Sequence, residues 1–418
     1  MTRKTGASRD VVVVGAGVIG LSCALFARDR GLDVTVIDRE GPAAGASAGN
    51  AGAFAFTDIL PLASPGMFRK APRWLLDPLG PLSIPPAYAL RIAPWMLRFA
   101  LSASPRRSAR AARAQAAMMD LSRRELEPFL AATGTAAMLR KDGNLELYEN
   151  EAEFRASLPG WAVRERHGID FAHLDRDGMA ELQPGLSPAF ERGTFTPTWY
   201  TIADPKEYVL TLGHRFVDGG GRIERGEVAG LRAHEDGVTI RLADGGEIAA
   251  GRVVLAAGAF SRDIARSLGE RIPLETERGY NTTLPPEAFD LRLQLTFGGH
   301  GFVVSRLSSG IRIGGAVELG GLTLPPNFAR SDAMLDKAKR FLPALKTEGG
   351  TRWMGFRPSL PDSLPAIGPS RASARVIHAF GHGHLGLTQS AGTARLVADL
   401  LTGREPAIDL SPFSPQRF

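Results

Sequence analysis

The tightest constraint on this chain is a strand, a turn and a helix packed into its first forty residues. Val11–Val14 is an unbroken β-branched run, as in a parallel strand buried on both faces. Gly15-Ala16-Gly17-Val18-Ile19-Gly20 follows at once. Leu21, Ala24, Leu25 and Ala27 then recur at helical spacing until Gly31. A second strand, Val34–Ile37, ends in Asp38, 18 residues beyond Gly20. A G-x-G-x-x-G alone says little, but in this βαβ setting it points to a dinucleotide site. Gly15 permits the tight turn, Gly17 lets the backbone approach a pyrophosphate, and Gly20 lets the helix pack on the strand. Val18 and Ile19 open the helix whose free N–H groups and dipole would hold the phosphates. Asp38, followed by Arg39, is expected to accept hydrogen bonds from the ribose hydroxyls, and its charge disfavours a 2′-phosphate.

At 418 residues the chain exceeds one ordinary core, so two interleaved domains, or three, are expected. Its 44% hydrophobic and 22% charged residues suit a globular protein in water. The only cysteine, Cys23, falls inside the first helix. One cysteine makes neither an internal disulfide nor a Cys-rich zinc site. It reads as a small buried hydrophobe in a reducing compartment, and the expected location is cytoplasmic. No metal site is expected. The residues before Val11 hold no signal-peptide core, and no apolar run of about 18 residues predicts a spanning helix.

Beyond the first unit the pattern is α/β in its nucleotide half and α+β overall. Residues 61–105 are Pro-rich and read as irregular, with Trp74, Trp95 and Met96 marking short helices. Helices are expected over Ser108–Thr133, Asp204–Gly219, Ser331–Leu342 and from about Thr388 to Leu401. Strand-like runs cover residues 139–150 and 194–196. Strands and a hairpin fill 222–258, turning at Glu235-Asp236-Gly237 and Asp244-Gly245-Gly246. Antiparallel strands are expected over 274–316, and a last buried strand over Val376–Phe380.

The opening motif does not separate FAD from NAD; three later features do. The loop Gly45–Gly52 follows the second strand, and its small residues let backbone approach a flat ring, with Ser47 and Asn50 as donors beside Ala51 and Gly52. Val253–Leu255 is a buried strand that runs into Ala257 and Gly258 near the dinucleotide. Near the C-terminus, Gly381–Thr388 turns into a helix. Its start, from Gly383 and His384 through Leu385, Gly386, Leu387 and Thr388, could face the pyrimidine edge of a flavin and stabilise negative charge there. This second set of Gly-rich contacts disfavours an NAD-dependent dehydrogenase.

With these residues in view, the chain resembles the D-amino-acid oxidase and glycine oxidase superfamily of FAD enzymes, and within it the bacterial D-amino-acid dehydrogenase branch. The resemblance rests on Val14–Gly20 with Asp38, Ser47–Gly52, and Arg278-Gly279-Tyr280. It also rests on Gly355-Phe356-Arg357-Pro358-Ser359-Leu360-Pro361-Asp362 with Pro365 and Gly368, and on Gly381–Thr388. Trp353 and Gly403-Arg404-Glu405-Pro406 look like the same branch. The resemblance implies a Rossmann-like FAD-binding domain (9–60, 176–275 and 355–418) interleaved with an antiparallel-sheet substrate domain (61–175 and 276–354). Val228 and Gly355 complete the expected cofactor set.

The activity so implied is oxidation of a D-amino acid. The Cα hydrogen leaves as hydride to flavin N5, and the imine hydrolyses to a 2-oxo acid and ammonia. The flavin does the redox chemistry, so the protein needs a carboxylate anchor more than a general base. Arg357 is the expected anchor, since a guanidinium fork fixes both the charge and the orientation of a carboxylate. Tyr280 is the second candidate for that carboxylate, and His382 a candidate to support the ring. A cyclic secondary amine such as D-proline or a hydroxy-D-proline could use the same site, because a ring nitrogen also yields an imine. The related sarcosine oxidases attach FAD through a cysteine in the C-terminal half. This chain has none there, so its FAD is expected to be noncovalent.

One basic stretch stands apart. Arg91, Arg98, Arg106, Arg107, Arg110, Arg113, Arg123 and Arg124 punctuate a segment holding Leu90, Ile92, Trp95, Met96, Leu97 and Phe99. One reading is a peripheral contact at the inner face of the cell membrane, suited to a dehydrogenase that reduces a membrane quinone rather than oxygen. The other is a helical pair with a solvated basic face. A membrane-associated flavoprotein without catalysis belongs to the first reading. No nucleic-acid-binding module accompanies the charge.

Overall fold

Two sheets built on different pairing rules organise the chain. In the computed structural model, which describes residues 9–64 and 79–418, β1 (Arg9–Val14) and β2 (Val34–Asp38) flank the helix Val18–Asp29. After β3 (Ala53–Ala55) and β4 (Leu82–Ser83) come the helices Ala89–Ser102 and Pro105–Thr133. β5 (Leu139–Arg140) and β6 (Asn144–Tyr148) precede the helix Glu151–Arg166. β7 (Ala172–Leu174), β8 (Arg192–Thr196) and β9 (Trp199–Ile202) follow. The helix Pro205–Asp218 leads into β10 (Arg222–Arg225), β11 (Val228–Ala233), β12 (Val238–Leu242) and β13 (Glu247–Leu255). Then come β14 (Glu275–Leu284), β15 (Gln294–Phe297), β16 (Phe302–Leu307) and β17 (Gly310–Glu318). The helix Ala329–Phe341, β18 (Thr351–Ser359), β19 (Ala366–Pro369), β20 (Val376–Phe380) and the helix Ser390–Leu401 complete the order.

In the first sheet β10, β2, β1, β13 and β20 run parallel, and the β11–β12 hairpin adds antiparallel strands beside β13. The valine run is its centre. Val11 and Val13 pack against the helices Val18–Asp29, Pro205–Asp218 and Ser390–Leu401, while Val12 and Val14 enter a separate core with Ile240, Val253 and Leu255. A strand buried on both faces explains why no polar residue alternates within it. The second sheet runs β18-β14-β17-β16-β15-β6-β8-β7, with β4 beside β17, and is antiparallel except where β15 meets β6 and β17 meets β4. Its main core gathers Phe297, Phe302, Ile313 and Phe341. A small third sheet joins β3, β9 and β5.

Several sequence expectations shift. The stretch read as irregular holds a 14-residue helix, Ala89–Ser102, which tolerates Pro94 because its outer side faces solvent. Trp74 lies outside the described residues. The helix Glu151–Arg166 is additional to those expected, and Asn150 caps it by accepting from the Glu153 N–H. Asp204 caps the helix Pro205–Asp218 in the same way, with Pro at its first position. β8 belongs to the second sheet, so the return to the first sheet falls near residue 205 rather than at 176.

Candidate active site

A cavity of about 1060 Å³ lies between the two sheets. Its first-sheet end is framed by Gly15, Gly17, Val18, Ile19, Asp38 and Arg39, and its wall continues through Ser47, Asn50 and Ala51. Val228, Ala257 and Gly258 border it from the sheet, and Gly383, His384, Leu385, Gly386, Leu387 and Thr388 from the C-terminal turn. From the second sheet come Gly355, Arg357 and Tyr280, and His382 lies at the join. Two expected cofactor residues do not border it. A Cβ on Gly20 would lie 1.9 Å from the Gly15 carbonyl oxygen, so Gly20 serves helix–strand packing, and Gly52 packs against Leu307 and Ile202.

The dinucleotide end fits its expected ligand. Gly15 has φ +110°, and a Cβ there would sit 2.4 Å from the Ala256 carbonyl oxygen, so only glycine closes this turn. The helix Val18–Asp29 has no side-chain cap and no acid in its first turn. Such a terminus presents unpaired N–H groups to an anion. Ser47 Oγ accepts from Val18 N at 3.0 Å, which pins the following loop to the helix start. Asp38 accepts from Ala16 N, Glu40 N and Gly41 N, each at 2.8 Å. A carboxylate offers about four acceptor positions, so capacity remains for a ribose hydroxyl. Arg39 stacks over Phe260 at 4.5 Å.

Other expected donors prove to hold the loops that shape the cavity. Asn50 donates to the Ser47 carbonyl and accepts from Gly52 N. Thr388 bonds Ala53 and Ala55, tying the C-terminal turn to β3. His384 pairs with Asp58 at 3.0 Å. Burial opposes ionisation of Asp58, but the bond to His384 and its charge outweigh this and hold the carboxyl below its usual range. His382 is 4% exposed and its Nε2 meets Thr393 Oγ1 at 2.9 Å. Burial pushes it down to about 3, so the ring is neutral and braces the turn.

Strand alternation decides which second-sheet residues face the cavity. In the β14–β18 register Glu277 opposes Arg357, Gly279 opposes Gly355 and Asn281 opposes Trp353. These six share one face, because successive side chains alternate. Arg278 and Tyr280 take the other. Although Tyr280 borders the cavity, its hydroxyl donates to Glu318 at 3.1 Å and accepts from Asn327 N at 3.0 Å, and its ring joins the second-sheet core. Tyr280 as a second carboxylate ligand is therefore corrected: it serves a buried network. Arg278, fully buried, pairs with Glu318 at 3.1 Å and donates to the carbonyls of Gly321, Leu324 and Pro325.

Arg357 does face the cavity. Its Nη1 donates to the Ala316 carbonyl at 3.0 Å and its Nη2 to Gly315 at 3.3 Å, and among the described residues its other three N–H groups have no hydrogen-bond partner. Burial lowers its pKa from the ordinary value, and the charge of Glu277 opposes that shift. The guanidinium lies over Gly279, where a Cβ would come within 2.3 Å of Nη2. Residues that sequence reading missed finish the wall. Trp353 covers Gly49 and Gly355, and a Cβ on Gly355 would lie 1.9 Å from the ring. Asn281 donates to Gly49 and Arg312 to Asn50, both clamping the 45–52 loop. Trp95, Met96 and Phe99 reach the cavity from the helix Ala89–Ser102. The available signal was the two-residue step back from Gly279 to Glu277, but its phase depends on register.

Comparison with known proteins places the chain in a family. The FAD dependent oxidoreductase (DAO) family pattern matches residues 10–400. A D-amino-acid oxidase of Bradyrhizobium diazoefficiens is 36% identical over 98% of this chain and 99% of its own. A D-amino acid dehydrogenase of Sinorhizobium medicae is 32% identical over the same shares. Among solved structures, glycine oxidase from Geobacillus kaustophilus superposes with a TM-score of 0.78 at 22% identity, covering 99% of this chain and 100% of that one. L-Proline dehydrogenase from P. horikoshii gives 0.76 at 18% identity, covering 99% and 98%. At these identities the two structures speak for the fold.

Proposed function

Because the chain belongs to the FAD-dependent oxidoreductase family, we propose that it oxidises a D-amino acid to the imine, which water converts to a 2-oxo acid and ammonia. The observation that carries this reading is the Arg357 guanidinium, with three free N–H groups, facing the cavity whose other end is the dinucleotide cradle. FAD supplies the hydride acceptor. The helix start beside Gly15 and Gly17 would hold its pyrophosphate, and Asp38 its ribose. Arg357 grips the substrate carboxylate bidentately and so fixes which face of Cα meets the ring. Trp353, Trp95 and Phe99 exclude water around the reacting carbon. The names of the two relatives support a D-configured substrate. The test is formation of 2-oxo acid from matched D- and L-amino acids, with D-proline included for a secondary amine. Product from D-substrates alone supports the reading; product from L-substrates alone refutes it.

A membrane electron acceptor is favoured by the outer face of the helix Ala89–Ser102. Leu90 is 91% exposed, Leu97 63% and Leu101 55%, all along one helical stripe. Arg91 and Arg98 share its helix, Arg106, Arg107, Arg110 and Arg113 follow on the next, and no acid occurs from residue 79 to 119. An apolar stripe among arginines matches an anionic lipid surface. The inner face of this helix borders the active cavity, which would bring a lipid-borne quinone close to the flavin. Among the described residues no helix is long and apolar enough to cross a membrane. Co-sedimentation with anionic vesicles that is lost in a Leu90/Leu97/Leu101→Gln variant supports this. Equal partition of both proteins refutes it.

A further inference from the structure

We infer that Glu277 is the specificity-determining acceptor for the substrate's amino group, forming with Arg357 a two-charge clamp that selects an amino acid over a plain carboxylate. This rests on the proposed amino-acid oxidation and names what else that site recognises. Glu277 and Arg357 are direct partners in the β14–β18 register and share the cavity face. Opposed residues in such a pair have Cβ atoms about 5 Å apart. The two do not satisfy each other. Arg357 turns Nη1 and Nη2 to the carbonyls of Ala316 and Gly315. Glu277 is 4% exposed, and its Oε2 accepts no hydrogen bond.

A buried carboxylate oxygen without a donor is costly, and at a cavity wall a ligand's N–H can supply the missing bond. A second acceptor points the same way. Gln115, 2% exposed, has an Oε1 without a donor and borders the small recess beyond Glu277, with Ser359 and His382. His382 is neutral there and adds no positive charge. The site therefore offers a free guanidinium edge beside acceptors that lack N–H donors. A zwitterionic amino acid, or a cyclic secondary amine acid, carries both complements two bonds apart. The oxo-acid product keeps the carboxylate and loses the donor, so the charge of Glu277 works against it and favours release.

The probes are 2-aminoisobutyrate and isobutyrate, which share one skeleton and differ in the ammonium group. The first has no Cα hydrogen and cannot be oxidised, so binding to the FAD-loaded enzyme is read at equilibrium by calorimetry or by the change in the flavin spectrum. The parent is expected to bind 2-aminoisobutyrate about 10- to 100-fold tighter than isobutyrate. Glu277→Gln is expected to weaken the amino acid and tighten the plain acid, collapsing that ratio. A purely structural Glu277 would shift both ligands in the same direction, which overturns the inference, as does an unchanged ratio. If Glu277→Gln does not fold, the parent alone decides, because equal or reversed affinities for the two probes refute the clamp. Failure of the underlying function is a separate result: no amino acid then bleaches the parent's flavin.

Discussion

Alanine at Gly279 isolates the geometry of the anchor from the stability of the fold. Gly279 has no positive φ, so alanine suits its backbone. The new Cβ would lie 2.3 Å from Arg357 Nη2 and 2.4 Å from Cζ. Ordinary contact begins at 3.4 Å, so the fork must retreat by about 1.1 Å (3.4 minus 2.3). It is held by bonds of 3.0 and 3.3 Å to Ala316 and Gly315, and a shift of that size breaks at least one of them. A hydrogen bond from a charged donor contributes about 1.5–3 kcal/mol, and a misplacement near 1 Å costs on the order of 100-fold in rate. Gly279→Ala should therefore keep its FAD and an unfolding midpoint near the parent's. Its kcat/KM for a D-amino acid should fall about 100-fold, and its affinity for isobutyrate about tenfold. Stopped-flow flavin reduction and calorimetry measure the two. Parent-like values in both would show that the position of Arg357 over Gly279 does not matter, and the anchor assignment would fail.

Four further outcomes follow from the same geometry. Arg357→Lys, which keeps the charge and loses the fork, should raise KM about 10- to 100-fold; an unchanged KM argues against bidentate binding. Asp38→Ala removes the acceptor for three backbone N–H groups, and its FAD dissociation constant, by equilibrium dialysis, should rise at least about tenfold. His382 is pushed down to about 3 by burial, whereas the unfolded chain protonates it near 6.5. Its contribution to stability is therefore full above pH ~6.5 and is lost as pH falls toward ~3, at up to about 1.4 kcal/mol per pH unit. Urea titrations should show His382→Asn less acid-sensitive than the parent, with no change in the pH dependence of kcat/KM between pH ~6 and ~9. Acid precipitation should release all the flavin, since the only cysteine, Cys23, is buried in the first helix; flavin retained in the pellet would show a covalent link.

What could be read from the sequence was what is local. Val11–Gly20 and Asp38 specify their structure through neighbours in the chain, and the strand, turn and helix lie where the residues put them. Arg357 and Gly355 were named from the resemblance of Gly355-Phe356-Arg357-Pro358 to the family pattern, and strand alternation then puts both on one face. Tyr280 borders the cavity, but its hydroxyl bonds Glu318 and Asn327 on the other face, which the β14–β18 register sets as a non-local property. Glu277 was hidden for the same reason, being informative only once Arg357 is known to lie opposite. Asn50 and Thr388 line the cavity, but their side chains hold loops together, and which bonds a polar side chain makes depends on tertiary packing. The helices Ala89–Ser102 and Glu151–Arg166 were obscured by Pro94 and Pro159, which local propensity counts as breakers and packing overrides.

The most direct measurement is the visible spectrum of the purified, FAD-reconstituted protein mixed anaerobically with single amino acids. The expected result is a yellow protein whose flavin band is bleached by D-amino acids and persists with their L-enantiomers, with bleaching much slowed in Arg357→Ala at low substrate. A protein that takes up no FAD, or a flavin that no amino acid reduces, would contradict it.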